Sequence, residues 1–193
     1  MIRKLVLGLT LSIIGVAIAV KVAASDGNAV AWQALRDGEA ILILRHALAP
    51  GTGDPANFTL NDCSTQRNLN ETGREQARSW KPFLAEHGIE EARVYTSQWC
   101  RTRDTASEMD VGAVSDMPSL NSFFQNRGDR LAQTRETVEQ VNALGPGLPV
   151  VLVSHQVNIT ALAGIYPSSN EGVILALPLS DEPSVLARIT PGP

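Results

Sequence analysis

The sequence predicts an α/β domain, a three-layer sandwich in which a mostly parallel sheet carries helices on both faces. Residues 40–44 and 150–153 are uninterrupted apolar runs, the pattern of strands buried on both sides. Strand-like and helix-like segments alternate from residue 30 to residue 189. With 44% hydrophobic and 19% charged residues, the chain is neither disordered nor fibrous, and its 193 residues hold one ordinary domain and a tail.

The tail comes first. Arg3 and Lys4 precede a 16-residue uncharged run over 5–20, which Lys21 closes ahead of the small residues Ala23, Ala24 and Ser25. That order is the pattern of an export signal cleaved after Ala24. The competing reading is an uncleaved anchor that associates the chain with the membrane through residues 5–20, although a comfortable span needs ~20 residues. On either reading residues 25–193 form an extracytoplasmic, for example periplasmic, domain. The net charge of −4 becomes −7 without the tail, because 13 basic residues then face 20 acidic ones. Such a surface is unsuited to nucleic acid, which must be met by many cations.

Residues 30–36 read as a short helix, and the Asp37-Gly38 turn feeds the first strand, 40–44. The polar stretch 49–66, with Gly and Pro, is long enough to be a functional loop. An amphipathic helix over 71–87 turns Ala77, Trp80, Phe83 and Leu84 inward, with Pro82 placed to kink or split it. Residues 93–97 form a second strand, 100–109 a helix, 111–115 a weak third strand and 127–144 a long helix stopped by Gly145-Pro146-Gly147. Strands at 150–154, 173–177 and 185–189 complete the sheet.

Export changes the reading of the two cysteines. In an oxidising compartment Cys63 and Cys100, 37 positions apart, are expected to pair; buried thiols are the alternative. Neither belongs to a Cys-x-x-Cys pair and the histidines are not at ligand spacing, so no metal site is expected.

Three strands end at or near polar groups: Arg45-His46, residues 97–101, and Ser154-His155. Ligands of open α/β sheets bind outside the carboxyl ends of strands, so these groups can converge there. Arg45 and Arg101 beside His46 and His155 would make a cationic pocket fit for a phosphate dianion.

Leu44-Arg-His-Ala47 resembles the Arg-His-Gly signature of the histidine phosphatase superfamily, the phosphoglycerate-mutase-like fold. The segment from Gln66 to Ala77, the Ser97-Gln-Trp-Cys-Arg-Thr-Arg-Asp-Thr-Ala106 block and Val153-Ser-His-Gln156 resemble the family's later blocks, in family order. Within the family the chain resembles small exported bacterial members, including lipopolysaccharide core heptose-phosphate phosphatases, more than the longer sugar-phosphate mutases. The resemblance implies a cofactor-independent phosphomonoesterase acting on a small-molecule or glycan phosphate. His46 would be the nucleophile, and Arg45 and Arg101 would hold the phosphoryl oxygens. His155, if protonated, would add a donor, and Arg67 is a further phosphate contact. Arg74 and Arg103 read instead as solvated helix-face charges, and His87 as a helix-end residue outside the site.

Two departures from the family pattern bear on mechanism. Ala47 stands where the family has Gly. No general acid is evident, since Gln156 follows the second histidine and residues 120–124 read Leu-Asn-Ser-Phe-Phe. The acid could come from Asp54 or Asp62 in the 49–66 loop or from Glu171. Otherwise the leaving group needs little protonation, as in an anomeric phosphate, a pyrophosphate or a phosphoramidate, or the pocket binds phosphorylated ligands without catalysis. Finally, Cys100 adjoins Arg101 and Cys63 lies four residues before Arg67, so their disulfide would tether the loop to the site.

Overall fold

The computed structural model describes residues 27–126 and 128–192. The signal or anchor segment 1–24 lies outside them, and among the described residues no helix is long and apolar enough to cross a membrane. Strands β1 (Ala40–Arg45), β2 (Arg93–Thr96), β3 (Val114–Asp116), β4 (Val150–Ser154), β5 (Gly172–Ala176) and β6 (Val185–Ile189) form one sheet in the order β3-β2-β4-β1-β5-β6. The first four run parallel, whereas β5 and β6 are antiparallel additions at one side.

The apolar runs sit at the centre because both faces there are covered. Leu42 and Leu44 of β1 join Val151 and Val153 of β4 in a core with α1 (Gly27–Arg36), α3 (Trp80–Glu86) and α4 (Cys100–Met109). Their strand neighbours Ile41, Ile43, Val150 and Leu152 face the other way, onto α5 (Arg130–Asn142) and α6 (Gln156–Ala163). The two-residue alternation of a strand thus divides one apolar run between two cores.

The helix expected over 71–87 is two helices, α2 (Glu71–Arg78) and α3, divided at Ser79. Pro82 is the cause: it lacks the N–H that would bond the Arg78 carbonyl, and its ring crowds that oxygen. The third strand starts at Val114 rather than Val111, whose side chain is instead buried in the first core. Helix α5 is shorter than 127–144; it starts after Asp129, whose carboxylate accepts from the Ala132 N–H. Helix α6 was not expected, because Val157, Ile159 and Thr160 are β-branched and its eight residues offer little period to read. Arg74 and Arg103 are partly exposed helix-face charges, as expected, and each also pairs with a neighbouring element. Arg74 bridges α2 to Asp104 and Glu108 of α4, both at 3.0 Å, and Arg103 binds Asp116 of β3.

Candidate active site

Parallel pairing places the chemistry. Arg45 lies opposite Ser154 in the β1–β4 register, the His46 N–H donates to the Ser154 carbonyl at 3.0 Å, and the Ser97 N–H donates to the Val153 carbonyl. The carboxyl ends of three adjacent strands therefore bring His46, His155 and Ser97 together, with the two imidazole centroids 5.6 Å apart. The two histidines line a cavity of about 160 Å³ whose walls include Arg45, Arg67 and Arg101. Gly51, Thr52, Gly53, Phe124, Gln156 and Tyr166 also line it, and among the described residues no carboxylate does.

His46 is only 2% exposed and its Nδ1 lies 2.7 Å from the Ala47 carbonyl oxygen. A carbonyl can only accept, so Nδ1 carries the proton and Nε2 keeps its lone pair. Burial first, then the Arg101 charge, pushes the His46 pKa well below the ordinary histidine value, which keeps the ring neutral. The backbone beneath it is clamped: the Asn170 N–H donates to the His46 carbonyl and the Ala47 N–H to Thr105 Oγ1. Asn170 adopts φ +64°, a conformation its short polar side chain tolerates, while that side chain accepts from Trp80 Nε1 and donates to the Gln76 carbonyl. Ala47 does not have positive φ, so no Gly is required there, and its methyl packs with Ala49, Leu69 and Ala77.

His155 is held on both sides. The Arg101 guanidinium donates toward its Nδ1 at 3.4 Å, so Nε2 carries the proton and donates to Ser97 Oγ at 2.8 Å. The Ser97 hydroxyl donates in turn to Asn121 Oδ1, which also accepts from the Gln98 N–H. Burial and the Arg101 charge hold the His155 pKa well below the ordinary value, so in the unliganded site the ring is neutral and not the cationic donor of the protonated reading. Behind it α6 begins without a side-chain cap, with Gln156 and Val157 at the pocket wall. The positive end of that helix therefore faces the pocket.

The arginines are placed from three directions. Arg45 donates to the Pro167 carbonyl, and its Nε is buried without a partner. The Nε of Arg101 is also buried and unpartnered, although its terminal nitrogens are engaged. Both residues line the cavity, and a buried donor without a partner calls for an acceptor. Burial lowers the Arg101 pKa to about 10 against the pull of Asp54, leaving the group charged at neutral pH. Arg67 wraps the glycine loop around itself, Nε donating to the Gly53 carbonyl and a terminal nitrogen to the Ala49 carbonyl.

Of the three acid candidates, only Asp54 reaches this assembly, and its carboxylate is paired with Arg101. Burial alone would raise its pKa, but Arg101, the Arg67 N–H and Trp99 together hold it below the usual carboxylate range. It has no proton to give at neutral pH. Asp62 caps the 3-10 turn Cys63–Thr65 through the Ser64 N–H and is exposed, while Glu171 binds the Ser168 N–H and Arg188. Neither faces the cavity. His87 lies elsewhere, at the end of α3, stacked on Trp32 with centroids 4.0 Å apart. Among the described residues no cluster of three or more His, Cys, Asp or Glu could hold a metal ion.

Cys63 and Cys100 form a disulfide that joins the loop after β1 to the first residue of α4. Beside it Gln66 makes the same connection by hydrogen bonds, accepting from the Cys100 N–H and donating to the Thr59 and Leu60 carbonyls. The sequence reading missed Ser97, Asn121, Thr105 and Asn170 as supports. Only Ser97 and Thr105 stood inside a quoted block, and nothing local marks an Asn as a backbone clamp.

A sequence model of the histidine phosphatase superfamily, branch 1, matches residues 41–121. No curated protein sequence matches the chain. Among solved structures, the protein histidine phosphatase SixA complexed with tungstate is similar with a TM-score of 0.54 at 20% identity, over 79% of this chain and 97% of that one. The mycobacterial glucosyl-3-phosphoglycerate phosphatase Rv2419c in complex with VO3 gives 0.57 at 16%, over 76% and 96%. Phosphoserine phosphatase from Entamoeba histolytica, with 3-phosphoglyceric acid, gives 0.54 at 13%, over 78% and 96%. At these identities the structural likeness establishes the fold.

Proposed function

We propose that the chain, whose residues 41–121 match the histidine phosphatase superfamily, branch 1, is an exported phosphatase that transfers a phosphoryl group to His46 and then to water. In the first step His46 Nε2 bonds to phosphorus as the bond to the leaving group breaks, the electron pair departing with that group. In the second, water attacks the phosphohistidine, releases inorganic phosphate and returns the neutral imidazole. The charge that crowds onto the equatorial oxygens is met by Arg45 and Arg101, through the Nε donors that lack partners, and by the start of α6. The observation that carries the reading is the fixed tautomer of a buried, neutral His46 facing that cationic cavity.

The lining without a carboxylate bears on the substrate. An alkoxide leaves poorly without a proton donor, a deficit of about 10²–10⁴ in rate. Leaving groups that need little protonation, such as a phosphoramidate or an anomeric phosphate, suit the site, and SixA, a protein histidine phosphatase by name, shares the fold. An envelope sugar phosphate joined through its anomeric oxygen also meets this requirement. Export rests on the segment 1–24 and on a disulfide at home in an oxidising compartment.

The test is phosphate release from alkyl, aryl, anomeric sugar and phosphoramidate phosphates by the full chain and by His46→Ala. The expected result is turnover of the last three classes, loss of all turnover in the variant, and an acid-labile phosphoenzyme on His46. Tungstate binding without turnover of any class would replace the proposal with a binder of phosphorylated ligands. Amino-terminal sequencing of the protein recovered from the cell envelope should begin at Ser25; a chain beginning at Met1 would establish the anchor instead.

A further inference from the structure

One carboxylate stands against the cationic wall, and the mechanism above gives it no chemistry. Asp54 is 4% exposed at its side chain, in a protein whose other ion pairs lie nearer the surface. Its Oδ1 accepts from Arg101 at 2.8 Å and from the Arg67 N–H at 3.0 Å. Its Oδ2 accepts from Trp99 Nε1 at 3.0 Å and from the second Arg101 nitrogen at 3.3 Å. Its own N–H donates to Gln125 Oε1. Each contact leads to the site. Arg101 carries the orphaned Nε, Arg67 is a wall residue, and the Trp99 ring meets His155 edge-on at 5.4 Å.

We propose that Asp54 is the positioning residue of this site: its carboxylate grips the outer edge of the Arg101 guanidinium, turning the Nε–H toward the phosphoryl oxygens, and locks Trp99 and the Arg67 backbone to the same point. The inference rests on the phosphatase reading but concerns a residue that takes no part in bond making. A planar guanidinium gripped along one edge keeps only the other edge for a ligand, so the grip decides the direction in which Arg101 donates. The pairing also sets the charge. Three arginines and one carboxylate sum to +2, equal and opposite to a phosphoryl dianion.

The alternative use of Asp54, as a general acid, differs in outcome. An acid matters most for the poorest leaving groups, so its loss steepens the dependence of log kcat on leaving-group pKa. A positioning residue stabilises the phosphoryl oxygens whatever is leaving, so its loss lowers every rate by one factor.

The experiment compares Asp54→Asn, Asp54→Glu and Arg101→Lys with wild type, in the full chain and at a temperature where circular dichroism shows each folded. Across aryl phosphates and a phosphoramidate, kcat of Asp54→Asn should fall about 10²-fold, the scale of one lost oxyanion donor, with the leaving-group slope unchanged. Tungstate should bind at least tenfold more weakly despite the added positive charge. Asp54→Glu, which keeps the charge but shifts the carboxylate, should show the same uniform loss and carries the test if the Asn variant does not fold. In the Arg101→Lys background Asp54→Asn should cost less than threefold more, because the group it positions is gone. A steepened slope, tighter tungstate binding, or full additivity with Arg101→Lys would each overturn the proposal. Wild-type protein that binds tungstate without turnover refutes the phosphatase reading alone, since the binding comparison still decides the role of Asp54.

Discussion

Replacing Cys63 and Cys100 together by Ser removes a cross-link that spans 37 positions. Closing a loop of that size restricts the unfolded chain enough to stabilise the fold by about 4 kcal/mol. For a domain of this length each kcal/mol moves the melting temperature by about 2–4 °C, so the variant should melt about 8–16 °C lower. The effect on activity is smaller, because Gln66 still fastens the loop to the Cys100 N–H and to the Thr59 and Leu60 carbonyls. That loop brings Asp54 and Arg67 to the site, so kcat should fall about tenfold, less than the 10²-fold of a 1 Å misplacement. The assay is thermal denaturation and phosphate release below both melting points, with thiol titration of denatured wild type proving the bond. A variant that melts within about 2 °C of wild type and keeps its kcat would refute the link from the cross-link to the loop.

Two further outcomes follow from close contacts and from buried imidazoles. A Cβ on Gly73 would clash with the Leu48 carbonyl oxygen, two residues beyond His46. Gly73→Ala should therefore cost about 2–3 kcal/mol in chemical denaturation and lower kcat, whereas Gly145→Ala, with nothing within 4 Å, should do neither. His46 and His155 both have pKa values depressed by burial, so the unfolded chain takes up protons near pH 6.5 that the folded chain refuses. Stability should rise with pH through that region and fall as the pH drops below it, by up to about 1.4 kcal/mol per pH unit for each histidine. Urea denaturation from pH 7.5 to 5 checks the sign, and a flat profile would mean that the rings are not buried neutral.

The parts of the molecule that local chemistry decides were legible in the sequence. Residues 40–44 could only be a strand covered on both sides, and the helix of residues 100–109 and the last strand matched their structural bounds. Helix α6 was hidden because its β-branched residues favour the wrong element, and burial against the sheet overrides that preference. At the site the sequence supplied the groups but not their states. Ala47 was read as a departure from a glycine pattern, yet its carbonyl turns out to fix the tautomer of His46. Asp54 was read as a possible proton donor because a carboxylate in a functional loop fits that role. Its pairing with Arg101, 47 positions away, depends on how the loop folds back over α4, and no spacing encodes it.

Those pairings bear on one another. If Asp54 were free to hold a proton, Arg101 would lose its carboxylate partner, so the site cannot use this residue both as acid and as the proposed anchor. His155 is likewise engaged, one nitrogen toward Arg101 and the other toward Ser97, and so is not a spare donor for the leaving group. His46 has its proton on Nδ1, held by the Ala47 carbonyl. The buried histidines, Arg101 and Asp54 are therefore each engaged in a charge pair or an orienting contact, and on the proposed mechanism His46 keeps only the lone pair for attack. On the proposed mechanism, transition-state stabilisation comes from fixed charge on the phosphoryl oxygens rather than from a carboxylic acid that delivers a proton to the leaving group. A site built in this way gains most where the bond to be broken is already weak, which is why the choice of leaving group is the property to measure.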